Sequence, residues 1–202
     1  MFPSGGRYAA HALGYTPYSF SAMARSVTAI QEFNMFGIPF VGADVCSSVT
    51  PNWIRKDQYS MPTIDPKLNL IFSLFRKRNS PYMYTLFFEA ARSGGTVIRP
   101  LFFEFPNDDA ARLTYQQFML GPALLFTPVL SMVLLIYTWR ISILKGANET
   151  YAYFPRDASW YYFSGSEIDR LYSTEVESGY RFVHSDQTSP PPAYIRGYQS
   201  QL

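Results

Sequence analysis

Residues 5–46, GGRYAAHALGYTPYSFSAMARSVTAIQEFNMFGIPFVGADVC, decide the fold. Pro17 and Ser19 open a helix, with serine as N-cap. Phe20, Met23, Val27 and Ile30 recur at three- and four-residue steps and predict one apolar face. Gly37 closes the helix, because glycine enters the left-handed conformation after a last turn without steric cost. Ile38, Pro39, Phe40 and Val41 then predict a short strand buried on both faces. Asp44 follows its C-terminal end, where barrels of alternating strands and helices carry their active sites. Spacing alone therefore predicts one α/β unit with a carboxylate at its mouth.

Working outward, composition narrows the class. The chain has 202 residues, enough for one or two domains and a sizeable core but short of the roughly 250 that a full barrel takes. A net charge of +2 with dispersed Lys and Arg leaves no nucleic-acid footprint. An aromatic content of 18% suits either carbohydrate handling or a well-packed aromatic core. Cys46 is the single cysteine, so an internal disulfide is excluded and the thiol reads as a small buried hydrophobe. No basic or apolar leader opens the sequence, and the expectation is that the true N-terminus lies further upstream, which leaves the compartment unassigned. Cys/His clusters at metal spacing, phosphate-cradling glycine loops and a Ser/His/Asp order are all missing, so neither a metal nor a cofactor is expected.

Three linked motifs carry a family resemblance: Arg7-Tyr8-Ala9-Ala10-His11, then Glu32-Phe33-Asn34-Met35-Phe36-Gly37-Ile38-Pro39, then Val41-Gly42-Ala43-Asp44-Val45-Cys46. In that order they resemble glycoside hydrolase family 31, a family of α-glucosidases that are secreted, lysosomal or membrane-anchored. The resemblance implies an α/β fold, the last strands and helices of a TIM (β/α)8 barrel followed by part of a β-sandwich. It sets a barrel portion at 1–112 and an incomplete sandwich at 113–202. It implies a maltose-type oligosaccharide as the partner and terminal α-linked glucose as the family's substrate.

Beyond Cys46 the resemblance lapses from Ser47 to Lys77 and resumes near Arg78. Ser80-Pro81 predicts a helix start, Gly94-Gly95 its stop, and Thr96 to Phe105 a β-rich run matching the eighth barrel strand and its exit. Arg99 reads as the structural partner of a nearby carboxylate. Tyr115 to Leu130 resembles the junction to the sandwich. Tyr151–Pro155 and Trp160–Phe163 look like paired strands, and Ser189–Gly197 like an edge strand. Between them, residues 131–145 form an atypical insert that matches nothing in the family. Residues 113–139 are uncharged, long enough for a membrane span of about 20 residues, but Gly121, Pro122 and Pro128 argue against one. Asn148-Glu149-Thr150 is a glycosylation sequon, usable only on the secretory route.

Retaining glycoside hydrolysis needs two carboxyl groups about 5–5.5 Å apart. The family's nucleophile sits in a Trp-x-Asp-Met-Asn-Glu motif, which these residues do not contain. Its acid/base is the aspartate of His-Trp-x-Gly-Asp, and the matching stretch is His11-Ala12-Leu13-Gly14-Tyr15. Tyr15 thus occupies the acid/base position, and a phenol near pKa 10 is a poor proton donor there. Asp44 is retained, either as a sugar ligand or as a hydrogen-bonding brace of the strand mouth. His11 is either a substrate-binding residue or a histidine packed in its loop. The resulting expectation is a catalytically incomplete α-glucosidase relative. A non-catalytic sugar-binding or interaction remnant and a membrane-anchored peptide using residues 118–139 are the rivals.

Overall fold

The structure, a computed structural model, describes residues 8–14, 20–43, 66–130, 149–163, 175–185 and 192–197. Its first unit is strand β1 (His11–Ala12), helix α1 (Phe20–Met35) and strand β2 (Val41–Gly42). The two strands are parallel, with His11 opposite Val41 and Ala12 opposite Gly42. Parallel neighbours need a crossover, and α1 supplies it. The helix ends as Gly37 predicts. Gly37 has φ 80°, its N–H donates to Asn34 O, and Ile38 N–H donates to Phe33 O at 2.9 Å. These two bonds form a Schellman motif.

Two expectations about this unit are corrected. The buried side of α1 carries Ala22, Gln31 and Asn34, while Met23 is 42% exposed; Val27 and Ile30 are only half-buried. Helix α1 lies against β3 (Ile98–Arg99), whose backbone N–H groups require an acceptor, so polar side chains take the inner positions. The strand predicted over Ile38–Val41 is regular only at Val41–Gly42. Ile38 is buried but Phe40 is 59% exposed, because β1 is the one strand beside β2 among the described residues.

Helix α2 (Pro66–Ser93) runs straight past the expected start at Ser80-Pro81. Pro81 removes one intrahelical bond, but Tyr82, Met83, Leu86, Phe87 and Ala90 follow at helical spacing and bury a stripe on the main sheet. That burial outweighs the missing N–H. Gly94 stops the helix with φ 77°, as expected.

The run Thr96–Phe105 is a strand only at β3; Leu101–Glu104 turns into the short helix α3, because Pro100 cannot donate to a ladder. Helix α4 (Asp109–Leu113) follows, capped by Asp108 Oδ1, which accepts from Ala110 and Ala111 N–H at 3.0 and 3.2 Å. Then come β4 (Phe118–Leu120), β5 (Leu124–Phe126), β6 (Glu149–Phe154), β7 (Ser159–Phe163), β8 (Glu175–Val176), β9 (Gly179–His184) and β10 (Ala193–Gly197). Six strands form one antiparallel sheet in the order β3-β4-β5-β10-β7-β8, and β6 pairs with β9 as a separate ribbon. Tyr151–Pro155 and Trp160–Phe163 are therefore not partners. The turn after Pro155 carries the chain from ribbon to main sheet, pinned by Trp160 Nε1–H donating to Pro155 O at 3.0 Å. Nor is the strand in Ser189–Gly197 an edge: β10 lies between β5 and β7.

Period-two alternation splits the sheet's side chains between two cores. Met119, Leu125, Trp160 and Tyr194 face the ribbon and α3–α4, meeting Ala152, Phe154, Val183, Leu101 and Phe105. Leu120, Leu124, Phe126 and Ala193 face α2 and meet Leu86 and Val97. Gly121, in the β4–β5 turn at φ 57°, touches α2 so closely that an added Cβ would lie 2.4 Å from Tyr82 Oη. The insert at 131–145 lies outside the described residues.

Candidate functional site

The site predicted from sequence centres on the C-terminal ends of β1 and β2. Register brings these ends together: His11 N–H donates to Phe40 O at 2.9 Å and Leu13 N–H to Gly42 O at 3.0 Å. The chain leaves both strands on one side of this ladder. His11 belongs to a strand rather than a loop. Its ring is half-buried and lies 6.4 Å from that of Phe33. Its Nδ1 is buried without a hydrogen-bond partner among the described residues. Tyr15 follows Ala12 by three positions and Asp44 follows Gly42 by two; both lie outside the described residues, as does Asn148. His11 Nδ1 is buried, so a ligand hydroxyl can meet only the exposed part of the half-buried imidazole.

Behind this mouth a polar seam ties the parallel unit to the rest. Asn34 is 1% exposed. Its Oδ1 accepts from Val97 and Ile98 N–H at 2.9 and 3.0 Å, and its Nδ2 donates to Ile30 O at 2.9 Å. Gln31 Nε2 donates to Tyr115 O. Periodicity did not single out either residue, although Asn34 stands within the second quoted motif.

Arg99 behaves as expected: it pairs with Glu104 at 2.5 Å. The other oxygen of Glu104 takes Arg196 at 3.0 Å, whose guanidinium also lies 4.6 Å from the Phe105 ring centroid. Gln117 mimics a strand: its Oε1 accepts from Tyr153 N–H at 2.7 Å and its Nε2 donates to Tyr153 O at 3.0 Å. The Tyr153 hydroxyl donates to Asp108 Oδ2 at 2.6 Å. Burial first, then that bond and the carboxylate's charge, hold the Tyr153 phenol well above the ordinary tyrosine range. Burial likewise pushes Tyr194 up to about 12, with the neighbouring Tyr162 adding to it. These groups brace the sandwich. Among the described residues, no three His, Cys, Asp or Glu side chains converge as metal ligands, and no helix is long and apolar enough to cross a membrane.

Comparison with known proteins bears on both halves. Residues 94–198 match the glycosyl hydrolase family 31 C-terminal domain, and residues 1–69 the TIM-barrel domain of the same family. Among characterised sequences, the chain is similar to human probable maltase-glucoamylase 2, at 35% identity over 79% of this chain and 7% of that protein. It is also similar to mouse lysosomal alpha-glucosidase, at 34% identity over 84% of this chain and 19% of that protein. The chain thus spans less than a fifth of the length of either. Among solved structures, the glucosidase II alpha subunit superimposes with a TM-score of 0.70 at 18% identity, covering 96% of this chain and 22% of that one. A cycloalternan-degrading enzyme from Trueperella pyogenes, in complex with isomaltose, gives 0.68 at 15%, covering 97% and 30%. At such identities the likeness is one of fold.

Proposed function

The chain belongs to glycosyl hydrolase family 31, and from that premise we propose that it carries part of an α-glucosidase machinery and is inactive by itself. The family reaction is retaining hydrolysis of terminal α-linked glucose, with maltose-type oligosaccharides as substrates. The parallel register of β1 and β2 is the observation that carries this reading. Two neighbouring parallel strands opening at one end are what a barrel needs in order to bring residues from successive loops to one sugar. Tyr15 and Asp44 come directly after those strands, and His11 stands in the first of them.

The chemistry is incomplete within these residues. A glycosyl-enzyme intermediate requires a carboxylate nucleophile and, about 5–5.5 Å away, a carboxylic acid. Tyr15 stands in the acid's position and no family nucleophile motif is present. Asp44 and His11 are left as sugar-hydroxyl ligands. The same proposal divides the chain by ancestry into a barrel part, 1–112, and a sandwich part, 113–202; β3 and α3, which precede residue 112, nonetheless pack in the sandwich.

The test is hydrolysis of an aryl α-glucoside by the purified chain. No release above a protein-free blank is expected, and Tyr15→Asp should not create any, because removing one member of a cooperating set can cost nearly as much as removing all. Turnover that Asp44→Asn abolishes would overturn the proposal.

A further inference from the structure

We propose that the outer face of the β6–β9 ribbon is a separate binding surface for neutral α-linked gluco-oligosaccharides; it rests on the family reading only for the choice of sugar. Cross-strand register puts Tyr151 opposite Phe182 and Tyr153 opposite Tyr180, so all four rings share one face of the ribbon. Ala152, Phe154 and Val183 point the other way, into the core. Tyr153, though on the outer face by register, is also 4% exposed and packed in that core, so the open part of the face is Tyr151, Tyr180 and Phe182. The four rings form one continuous strip. Tyr151 stacks on Tyr180 at 5.1 Å with 12° between planes, meets Phe182 at 4.9 Å, and Tyr153 meets Tyr180 at 4.8 Å. Tyr153 anchors the strip from below through Asp108. Tyr151, Tyr180 and Phe182 are 58, 43 and 68% exposed. Outward positions of a solvent-facing sheet are ordinarily polar. Three wet aromatics in contact are the exception that marks a binding surface.

Charge and area select the occupant. Among the described strand residues, the only acid and base that the register puts on this face are Glu149 and His184, 3.9 Å apart at one end of the ribbon. Arg181, on the opposite face, pairs with Glu177, so no cluster of like charges stands among the rings to attract an acidic peptide or a nucleic acid. Three side chains of about 150–250 Å² each, exposed to that degree, offer roughly 250–420 Å². A stable protein interface takes about 800 Å² per partner. A pyranose ring, by contrast, presents a flat face of polarised C–H bonds to the negative face of an aromatic ring. Its hydroxyls remain free for water and the ribbon's polar side chains. Tyr151 and Tyr180 cover one face of each other, so the faces left for a sugar are their outer ones and that of Phe182.

The experiment is native electrophoresis of the full chain in gels with and without amylopectin, supported by fluorescence titration with maltoheptaose. Retardation is expected. Tyr151→Ala or Phe182→Ala alone should weaken binding roughly two- to tenfold, the double variant should lose it, and Tyr151→Phe, which keeps the ring, should bind normally. Far-UV circular dichroism of each variant establishes that it is folded. An unretarded wild-type chain, or a folded double variant retarded as much as wild type, overturns the inference. Binding lost through His11→Ala and untouched by the ribbon variants would also overturn it, and would place the sugar at the mouth of β1 and β2 in support of the proposed function.

Discussion

The parallel unit of residues 8–43 and the antiparallel sandwich that follows α2 bury their side chains in different ways. Both core clusters are drawn entirely from residues beyond α1 and β2, with Trp160, Phe154, Phe105 and Leu125 at 0–2% exposure. In the parallel unit Phe36 is 73% and Phe40 59% exposed. An antiparallel sheet closes on itself through hairpins and one returning strand. A parallel strand needs neighbours on both sides and helices on both faces before its apolar residues are covered. The unit is joined to the sandwich mainly by amide side chains on backbone groups, Asn34 to Val97 and Ile98 and Gln31 to Tyr115, with Phe40 against Phe87 as its described ring contact to α2. The sandwich together with α2 holds both described core clusters, and the parallel unit is docked on it largely through amide side chains.

The strongest attempt to break this comparison is Trp160→Ala. It empties the centre of the sandwich and should cost about 3–5 kcal/mol. Urea unfolding followed by circular dichroism should then show loss of both halves together, because the parallel unit has no core of its own. Survival of the helical signal of α1 after the sandwich melts would contradict the dependence.

Asn34→Ala comes next. Two backbone N–H groups beside β3 lose their acceptor, at about 1–3 kcal/mol each. The sandwich should keep its near-ultraviolet spectrum while amides of residues 20–43 gain hydrogen-exchange rates. Equal protection in the two proteins would refute the seam.

The smallest effect is alkaline and confined to the sandwich. The Tyr153 and Tyr194 phenols are held above their ordinary value of 10 in the folded chain. Their neutral form is thus favoured by folding, and the stability linked to it is complete below pH 10 and lost as pH rises towards 12 and beyond. Tyr194→Phe should flatten the stability loss between pH 10 and 12 in urea titrations. An unchanged slope would mean that the phenol titrates freely in the folded state. Tyr153→Phe should in addition lose about 1.5–3 kcal/mol at neutral pH, the worth of a hydrogen bond to a charged group.

Much of the fold's local grammar was readable beforehand. Gly37 and Gly94 ended their helices because a left-handed residue is a local requirement. Arg99 found a carboxylate five residues away. The order of the family motifs pointed to the right ancestry. The candidate site was legible only in part. His11 could be named, but its place on a strand beside β2, with a buried free nitrogen, depends on a partner thirty positions away. Asn34 escaped notice because nothing in a helical periodicity shows which backbone groups will face it. The mistakes about Ser80-Pro81 and Thr96–Phe105 share a cause. In both, a proline has a local preference, Pro81 for the first turn of a helix and Pro100 against a ladder, and the packing of its neighbours against the sheet decides how far that preference acts.

The sequence by itself determined the family, through motifs in a fixed order between Arg7 and Cys46, and the C-terminal stops of α1 and α2 at Gly37 and Gly94, since a left-handed glycine is a requirement of one helical turn. Tertiary structure decided which strands meet. Trp160–Phe163 pairs with β8 and β10 rather than with the strand just before it, and β10, the last described strand, fills the centre of the sheet. Strand partners are chosen by the closure of a shared core across long stretches of chain, and Trp160 enters that core only if the chain crosses from ribbon to sheet at Pro155.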